Sequence, residues 1–383
     1  MPSSLIVRCV PIKNVRPHPD ADNLLIIDIM GWQVCTHKDT EPVVGYLRVF
    51  IPPDAILPQE LAEKLDVVKY LKKGNRVGQV NLRGEMSFGI AATNDWDFKN
   101  GQEVSEELGI TKYVPPPKTI PGDQACDHPS FPNYVDVENF RNFPDEFQDG
   151  EDVAIFEKIE GTNGKVGGIR TSSPFVEFMA HCEILQYDSK FNEMEQGPEN
   201  ILQYMVGSHG TRKKFSVDAN KAGLYEVHYV SKVKKAIKSI VEERSARSVV
   251  FYTEIFGNGV PNGMKSMNYG YQNGEKTWRL LDIRIDGKFV DLDDLLELAK
   301  THDLPTAPML YRGPYSLDKL KECANQKTSL MSVDPHLSEG VVIRPAKERR
   351  YDNNNRRLLL KYKSLEYETM KAKGKVKEVA ADA

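Results

Sequence analysis

The sequence predicts an α+β protein of two domains, a small closed β-barrel followed by a larger mixed domain. Three observations predict it. Short alternating strand runs and a single helix fill the first 112 residues, a proline-rich stretch breaks the pattern, and strand runs then alternate with helical stretches. The length of 383 residues, beyond the roughly 100–200 of one domain, agrees with two.

The strand pattern opens with LLIIDIMGWQVCT (24–36) and VVGYLRVFIP (43–52), runs separated by turn residues. LPQELAEKLDVVKYL (57–71) carries apolar residues at helical spacing, and RVGQVNLRGEMSFGI (76–90) adds two more strand signals. About five short strands and one helix point to an OB-fold over residues 1–112. YVPPPKTIPGDQ, with four prolines and a glycine, excludes regular structure, so a linker is expected over 113–126. The second domain, 127–370, contains the strand runs VVFYTEIFG, RLLDIRI, EGVVIRP and RLLLKYK and the helical stretch LDDLLELAKTH, a mixed α+β pattern. The end of the chain, 371–383, lacks apolar periodicity and reads as a loose tail.

Composition narrows the class. Hydrophobic residues at 40% and charged residues at 28% describe a folded chain and exclude a disordered one. A net charge of −4 excludes a uniformly basic coat but not a local basic groove. Five cysteines, at 9, 35, 126, 182 and 323, form no CxxC pair, which argues against a zinc knuckle or a disulfide framework and for an intracellular, reducing compartment. No run approaches the roughly 18 apolar residues of a membrane span, and the start lacks a signal-peptide pattern, so the chain is expected to be neither exported nor membrane-spanning.

The chemistry centres on FEKIEGTNGKVGG (156–168). Lys158 follows the strand-like VAIFE and precedes GTNG, so a rigid strand delivers it into a tight turn. A lysine amine attacks only when unprotonated, and its ordinary pKa of about 10.4 must fall through burial or nearby positive charge. In LLLKYKS, strand alternation points Lys361 and Lys363 to one face, with Tyr362 on the other, and the pair can supply that charge. On its own LLLKYKS reads as an edge strand with solvated lysines. However, YTEIFGNG and SEGVVIRP each set one glutamate, Glu254 or Glu339, inside a strongly apolar strand run, where glutamate is seldom found without a partner. One lysine nucleophile, two carboxylates and two lysines are the parts of metal-assisted phosphoryl chemistry.

Taken in order, these segments resemble the motifs of the covalent nucleotidyltransferases, the superfamily of ATP-dependent ligases and capping enzymes: KIEGTNG as motif I, EIFG as III, LLDIRI as IIIa, EGVVI as IV and KYK as V. The form KxxGTN, with Asn163, is similar to RNA ligases that repair nicked RNA rather than to DNA ligases and capping enzymes with KxDGxR. The first domain resembles the OB domain that precedes the catalytic domain in one RNA ligase subgroup.

The resemblance implies an adenylation domain with antiparallel sheets and three-step sealing: a lysyl-AMP forms from ATP, AMP moves to a 5′-phosphate, and a 3′-hydroxyl displaces it. It assigns Lys158 as nucleophile, carrying the AMP covalently, Glu254 to the ribose or a metal-bound water, and Glu339 to the metal, Mg2+ or Mn2+. Lys361 and Lys363 grip the phosphates, and Glu157 matches the position that reads the adenine amino group. Val342 and an apolar residue of motif IIIa sandwich the ring, Leu281 or Trp278 here, where the family often has phenylalanine. Glu160 stands where aspartate or histidine is more familiar. Asn163 and an arginine engage the nucleic acid, with Arg212 in VGSHGTRKK preferred, Arg170 the competing choice, and His209 orienting that loop. The implied partners are ATP and a nicked RNA-containing duplex, bound by a monomer. Two rival readings are a capping guanylyltransferase using GTP, opposed by domain order and KxxGTN, and a noncatalytic OB-fold nucleic-acid-binding protein, opposed by intact KxxG, EGVVI and KYK.

Overall fold

The computed structural model describes residues 5–114, 124–125, 128–171, 195–196, 201–208, 212–213, 232–257, 269–270, 275–331, 335–351 and 356–372. The contacts of these residues divide the chain into two compact units.

The first unit contains the N-terminal barrel. Its strands are β1 (Arg8–Pro11), β2 (Asn14–Pro17), β3 (Leu24–Ile29), β4 (Trp32–His37), β5 (Leu47–Ile51), β6 (Gln79–Leu82), β7 (Glu85–Phe88) and β8 (Ile90–Thr93). β5 lies between β1 and β8, β3 between β2 and β4, and β6 pairs with β7, all antiparallel. Strand alternation splits the interior in two: Val49 and Ile51 of β5 enter a cluster with Val7, Leu57 and Val104, while Phe50 enters one with Ile27, Trp32 and Phe88. Ile29 faces Trp32 across a two-residue turn in which Met30 and Gly31 both take positive φ, 48° and 73°, the turn that matches the twist of a hairpin. The helix expected over 57–71 is α1 (Gln59–Lys64), which buries Ala62 and gives way at Asp66, where φ is 51°.

The sequence reading divides the chain at a single linker, whereas residues 136–148 and 360–372 group with the barrel. Arg141 explains why. Its guanidinium donates to the Gly31 carbonyl at 2.9 Å and the Lys363 carbonyl at 2.8 Å, between the rings of Trp32 and Tyr362 at 4.4 and 4.5 Å. The short strands Glu138–Asn139 and Leu360–Tyr362 pair in parallel.

The second unit holds two antiparallel sheets. In the larger, β10 (Thr162–Thr171) lies between β11 (Ile201–Ser208) and β12 (Ser248–Gly257), and β12 pairs onward with β13 (Lys276–Ile285). In the smaller, β9 (Asp152–Glu157) lies between β14 (Met309–Pro314) and β15 (Val341–Pro345). Helix α2 (Lys232–Glu243) presents Val233, Ile237, Ile240 and Val241 to Val249, Phe251 and Ile283 of the larger sheet, joined by Leu295 and Leu298 of α3 (Leu292–Thr301). A second cluster joins Ala154, Phe156 and Ile159 to Phe256, Tyr269 and Leu292. The chain is thus α+β, with a barrel of short strands ahead of a mixed domain on antiparallel sheets.

Candidate active site

Lys158 is the first residue past β9, and its N–H donates to the Gly340 carbonyl at 2.9 Å, so the backbone just after Glu339 fixes the lysine. Nζ donates to the Glu339 carboxylate, its one partner among the described residues. The two side chains are 23% and 3% exposed, so the amine is reachable and the carboxylate is not. Gly161 is required by a close approach: a Cβ there would lie 2.3 Å from the Ile255 carbonyl and 3.1 Å from Glu254. This glycine lets the turn of KIEG lie against β12.

Around this pair the second unit concentrates negative charge. The Glu157 carboxylate is buried and accepts from the Thr328 hydroxyl, the Ser329 N–H at 2.9 Å and the Ser329 hydroxyl at 2.6 Å. Glu160 is buried, and its N–H donates to the Tyr269 hydroxyl at 2.7 Å. Burial pushes the Tyr269 phenol well above its ordinary range; the hydrogen bond from the Glu160 N–H works against this, but the charges of Glu339, Glu160 and Glu157 add to the rise, so it stays neutral amid three carboxylates. Glu254 adds a fourth. It lies directly opposite Asn163 in the β10–β12 register, so both side chains emerge on one face, as does Arg279 opposite Glu254 on β13. Asn163 donates to the Thr253 carbonyl at 3.3 Å, while its Oδ1 is buried with no partner among the described residues.

Val342 of β15 is opposite Phe156 in register and half-buried. Leu281 packs on the cluster that contains Phe156, Ile159 and Tyr269, whereas Trp278 belongs to the core beneath α2 and α3. Leu281 is therefore the IIIa residue on the Lys158 side. Its neighbour Asp282 is fully buried and held by the Tyr134 hydroxyl at 2.9 Å and by Arg357 and Arg344 at 2.6 and 3.3 Å, and both arginines also bind Glu348. Burial alone would raise the Asp282 carboxyl, but the guanidiniums outweigh it and hold it below the usual range.

Lys361 and Lys363 lie in the first unit. Lys361 is opposite Asn139 in the short parallel pair, and the Lys363 ammonium is 5.7 Å from the centre of the Tyr367 ring. Arg212 pairs through its backbone with Gly207 and Ala125, and its side chain lies outside the described residues, as does His209. Arg170 is near the far end of β10, seven residues from Asn163, roughly 23 Å at about 3.3 Å per residue. Motif matching misses Tyr269, Arg279, Thr328 and Ser329. Only Arg279 carried a signal, since it alternates with Leu281 along β13; the others act from segments without strand or helix periodicity.

A family model described as RNA ligase matches residues 151–363, and a model described as an OB-fold domain matches 6–93. No curated protein sequence matches the chain. Among solved structures the chain is similar to Naegleria gruberi RNA ligase. A mutant with ATP and Mn aligns at 15% identity and TM-score 0.62 over 94% of this chain and 98% of that one. A mutant with AMP and Mn aligns at 15% identity and TM-score 0.63 over 95% and 98%. The protein with PPi aligns at 16% identity and TM-score 0.61 over 97% and 99%. At these identities the likeness establishes the fold, and the family model spans more than half of the chain. The chain belongs to the RNA ligase family, with an N-terminal OB-fold domain ahead of a nucleotidyltransferase fold.

Proposed function

We propose that the protein is an ATP-dependent RNA ligase that joins 3′-hydroxyl and 5′-phosphate ends at nicks in duplexes, through AMP carried covalently on Lys158. The observation that carries the reading is the amine of Lys158, anchored at the end of a strand and hydrogen-bonded to the buried carboxylate of Glu339. In the first step Nζ attacks the α-phosphorus of ATP, a P–N bond forms, and the P–O bond to pyrophosphate breaks. The amine must shed a proton, and the carboxylate of Glu339, already within hydrogen-bond reach, is the acceptor at hand. AMP then passes to the 5′-phosphate, and the 3′-hydroxyl displaces it to form the phosphodiester.

Glu157, Glu160 and Glu339 converge on Tyr269 and Glu254 lies against Gly161, and carboxylate oxygens of this kind suit hard divalent cations. Glu339 and Glu254 would hold Mg2+ or Mn2+, which, when bound, offsets the charge of the phosphates. Lys361 and Lys363 serve the same end by gripping those phosphates. The Naegleria gruberi structures with ATP, AMP and Mn support the nucleotide and the metal.

Glu157 favours adenine. A carboxylate offers about four acceptor sites, and Thr328 and Ser329 supply three donors, leaving room for one more N–H. Adenine presents an amino group at this edge, whereas guanine presents a carbonyl oxygen that a carboxylate repels. Leu281 and Val342 flank the ring, and the nucleic acid is engaged by Asn163 and an arginine, Arg212 preferred and Arg170 the competing choice.

The test is incubation with labelled ATP or GTP and a divalent metal, followed by nicked RNA duplexes. The expected result is a covalent adduct from ATP, absent in Lys158→Ala, and sealing of the nick. Adduct formation by the alanine variant would refute the assignment.

A further inference from the structure

At the far end of the larger sheet lies a cavity of about 370 Å³ that the reaction at Lys158 does not use. Arg170, Arg247 and Arg284 line it, with Ser248 and Asp286. The sequence builds it from strand ends. Arg170 is near the end of β10, where its N–H donates to the Arg247 carbonyl at 2.8 Å; Arg247 precedes β12; and Arg284 is near the end of β13. The turn after β13 closes one side, with Asp286 and Gly287 both at positive φ, 46° and 82°.

Three guanidiniums share this cavity with one carboxylate. The one carboxylate, Asp286, spends an oxygen on the N–H groups of Arg247 and Ser248, both at 2.8 Å. None of the three guanidiniums forms an ion pair among the described residues. Arg284 is also partly buried, and its Nε is buried with no hydrogen-bond partner among them. A buried donor left unmade is costly, and three arginines held on rigid strand ends repel one another unless an anion joins them. The planar fork of arginine matches the oxygens of a phosphate.

We propose that Arg170, Arg247 and Arg284 form a phosphate-binding subsite for the backbone of the RNA substrate. The inference rests on the RNA-joining reading above and extends it. The subsite is roughly 23 Å along β10 from Asn163, too far to touch the nucleotide at Lys158, so it holds a strand several nucleotides from the joint. Contacts of this kind set the register of the strand and carry no base preference.

The experiment measures binding of a nicked RNA duplex by fluorescence anisotropy across a salt series, with covalent AMP formation and thermal unfolding read on the same preparations. Arg247→Glu combined with Arg284→Gln is expected to weaken binding about tenfold and to reduce the slope of log K against log salt by about two. Arg247→Lys combined with Arg284→Lys is expected to recover most of the loss. Arg247→Gln, at an exposed position, gives a smaller loss in the same direction and serves if the double variant unfolds early. Unchanged affinity and slope in a folded variant overturn the proposal. So does loss of inorganic phosphate binding, by calorimetry, with RNA affinity intact. Arginine-dependent RNA binding by a wild-type protein that forms no AMP adduct leaves the subsite standing and overturns the ligase reading. An adduct with arginine-independent RNA binding does the reverse.

Discussion

Two buried charge clusters in the second unit invite comparison, because one is closed and the other is open. Around Asp282 every carboxylate oxygen has a donor: Arg344, Arg357 and Tyr134 serve Asp282, and the same two arginines serve Glu348. Two positive groups meet two negative ones, and Phe289 covers the Arg357 guanidinium at 3.9 Å. Around Lys158 the amine pairs with the Glu339 carboxylate and keeps a path to solvent, Glu157, Glu160 and Glu339 converge on the Tyr269 phenol, and an oxygen of Asn163 has no partner among the described residues. Carboxylates whose oxygens are all taken by donors have nothing left to accept, whereas a reachable amine beside a carboxylate and an amide oxygen with room for another donor is prepared for a ligand. Both clusters come from motif-like segments, so motif membership alone does not separate structural from chemical roles.

The largest expected effect breaks the open cluster. Lys158→Ala should abolish the covalent AMP adduct, measured by intact-protein mass after incubation with ATP. The matching break in the closed cluster is Asp282→Ala, which strands two buried guanidiniums. It should cost about 3–5 kcal/mol and lower the melting temperature by roughly 10 °C at about 2–4 °C per kcal/mol. The adduct should still form at low temperature. If Asp282→Ala removed the adduct and left stability intact, the division between the clusters would fail. Acid adds a second readout. The Asp282 carboxyl is held below its ordinary range, so its contribution is present above the unfolded value of about 3.9 and disappears as pH falls through the lower folded value. Asp282→Asn should therefore flatten the steep loss of stability below about pH 4.

A smaller effect is expected in the first unit. Arg141 joins the Gly31 turn of the barrel to the Lys363 carbonyl, so the barrel helps fix the strand carrying Lys361 and Lys363. Replacing Arg141 with Met keeps the apolar stem but removes hydrogen bonds worth about 1.5–3 kcal/mol for a charged donor. The expected result is slower adduct formation, recovered by higher ATP, in a protein that remains folded. An unchanged rate would show that the strand holds its place unaided.

Much of this was legible in the residues. Alternation in LLIIDIM and LRVFI gave the barrel, helical spacing gave α3, and the KxxG and EGVV segments gave the lysine and its carboxylate. What escaped has a common cause. Tyr269, Thr328 and Ser329 reach the site from irregular segments, where side-chain direction follows no period. Residues 136–148 group with the barrel, which Arg141 reaches from a segment that no local pattern announces. The arginine cavity joins residues 170, 247 and 284, brought together only by the register of three strands.

The finest test concerns how the open cluster chooses its base. Thr328→Val keeps the shape of the buried side chain and removes one of the three donors to Glu157. The carboxylate then has two sites unfilled instead of one and is free to turn, so its single remaining N–H partner is less well specified. The expected outcome is a rise of a few-fold in the ATP concentration needed for half-maximal adduct formation, on the scale of about 1 kcal/mol for one hydrogen bond. The preference for ATP over GTP should narrow by a similar factor, and Thr328→Ser should restore both. If the valine variant kept its full preference, the hydroxyl would be only a packing contact, and base choice would have to be sought in Leu281 and Val342.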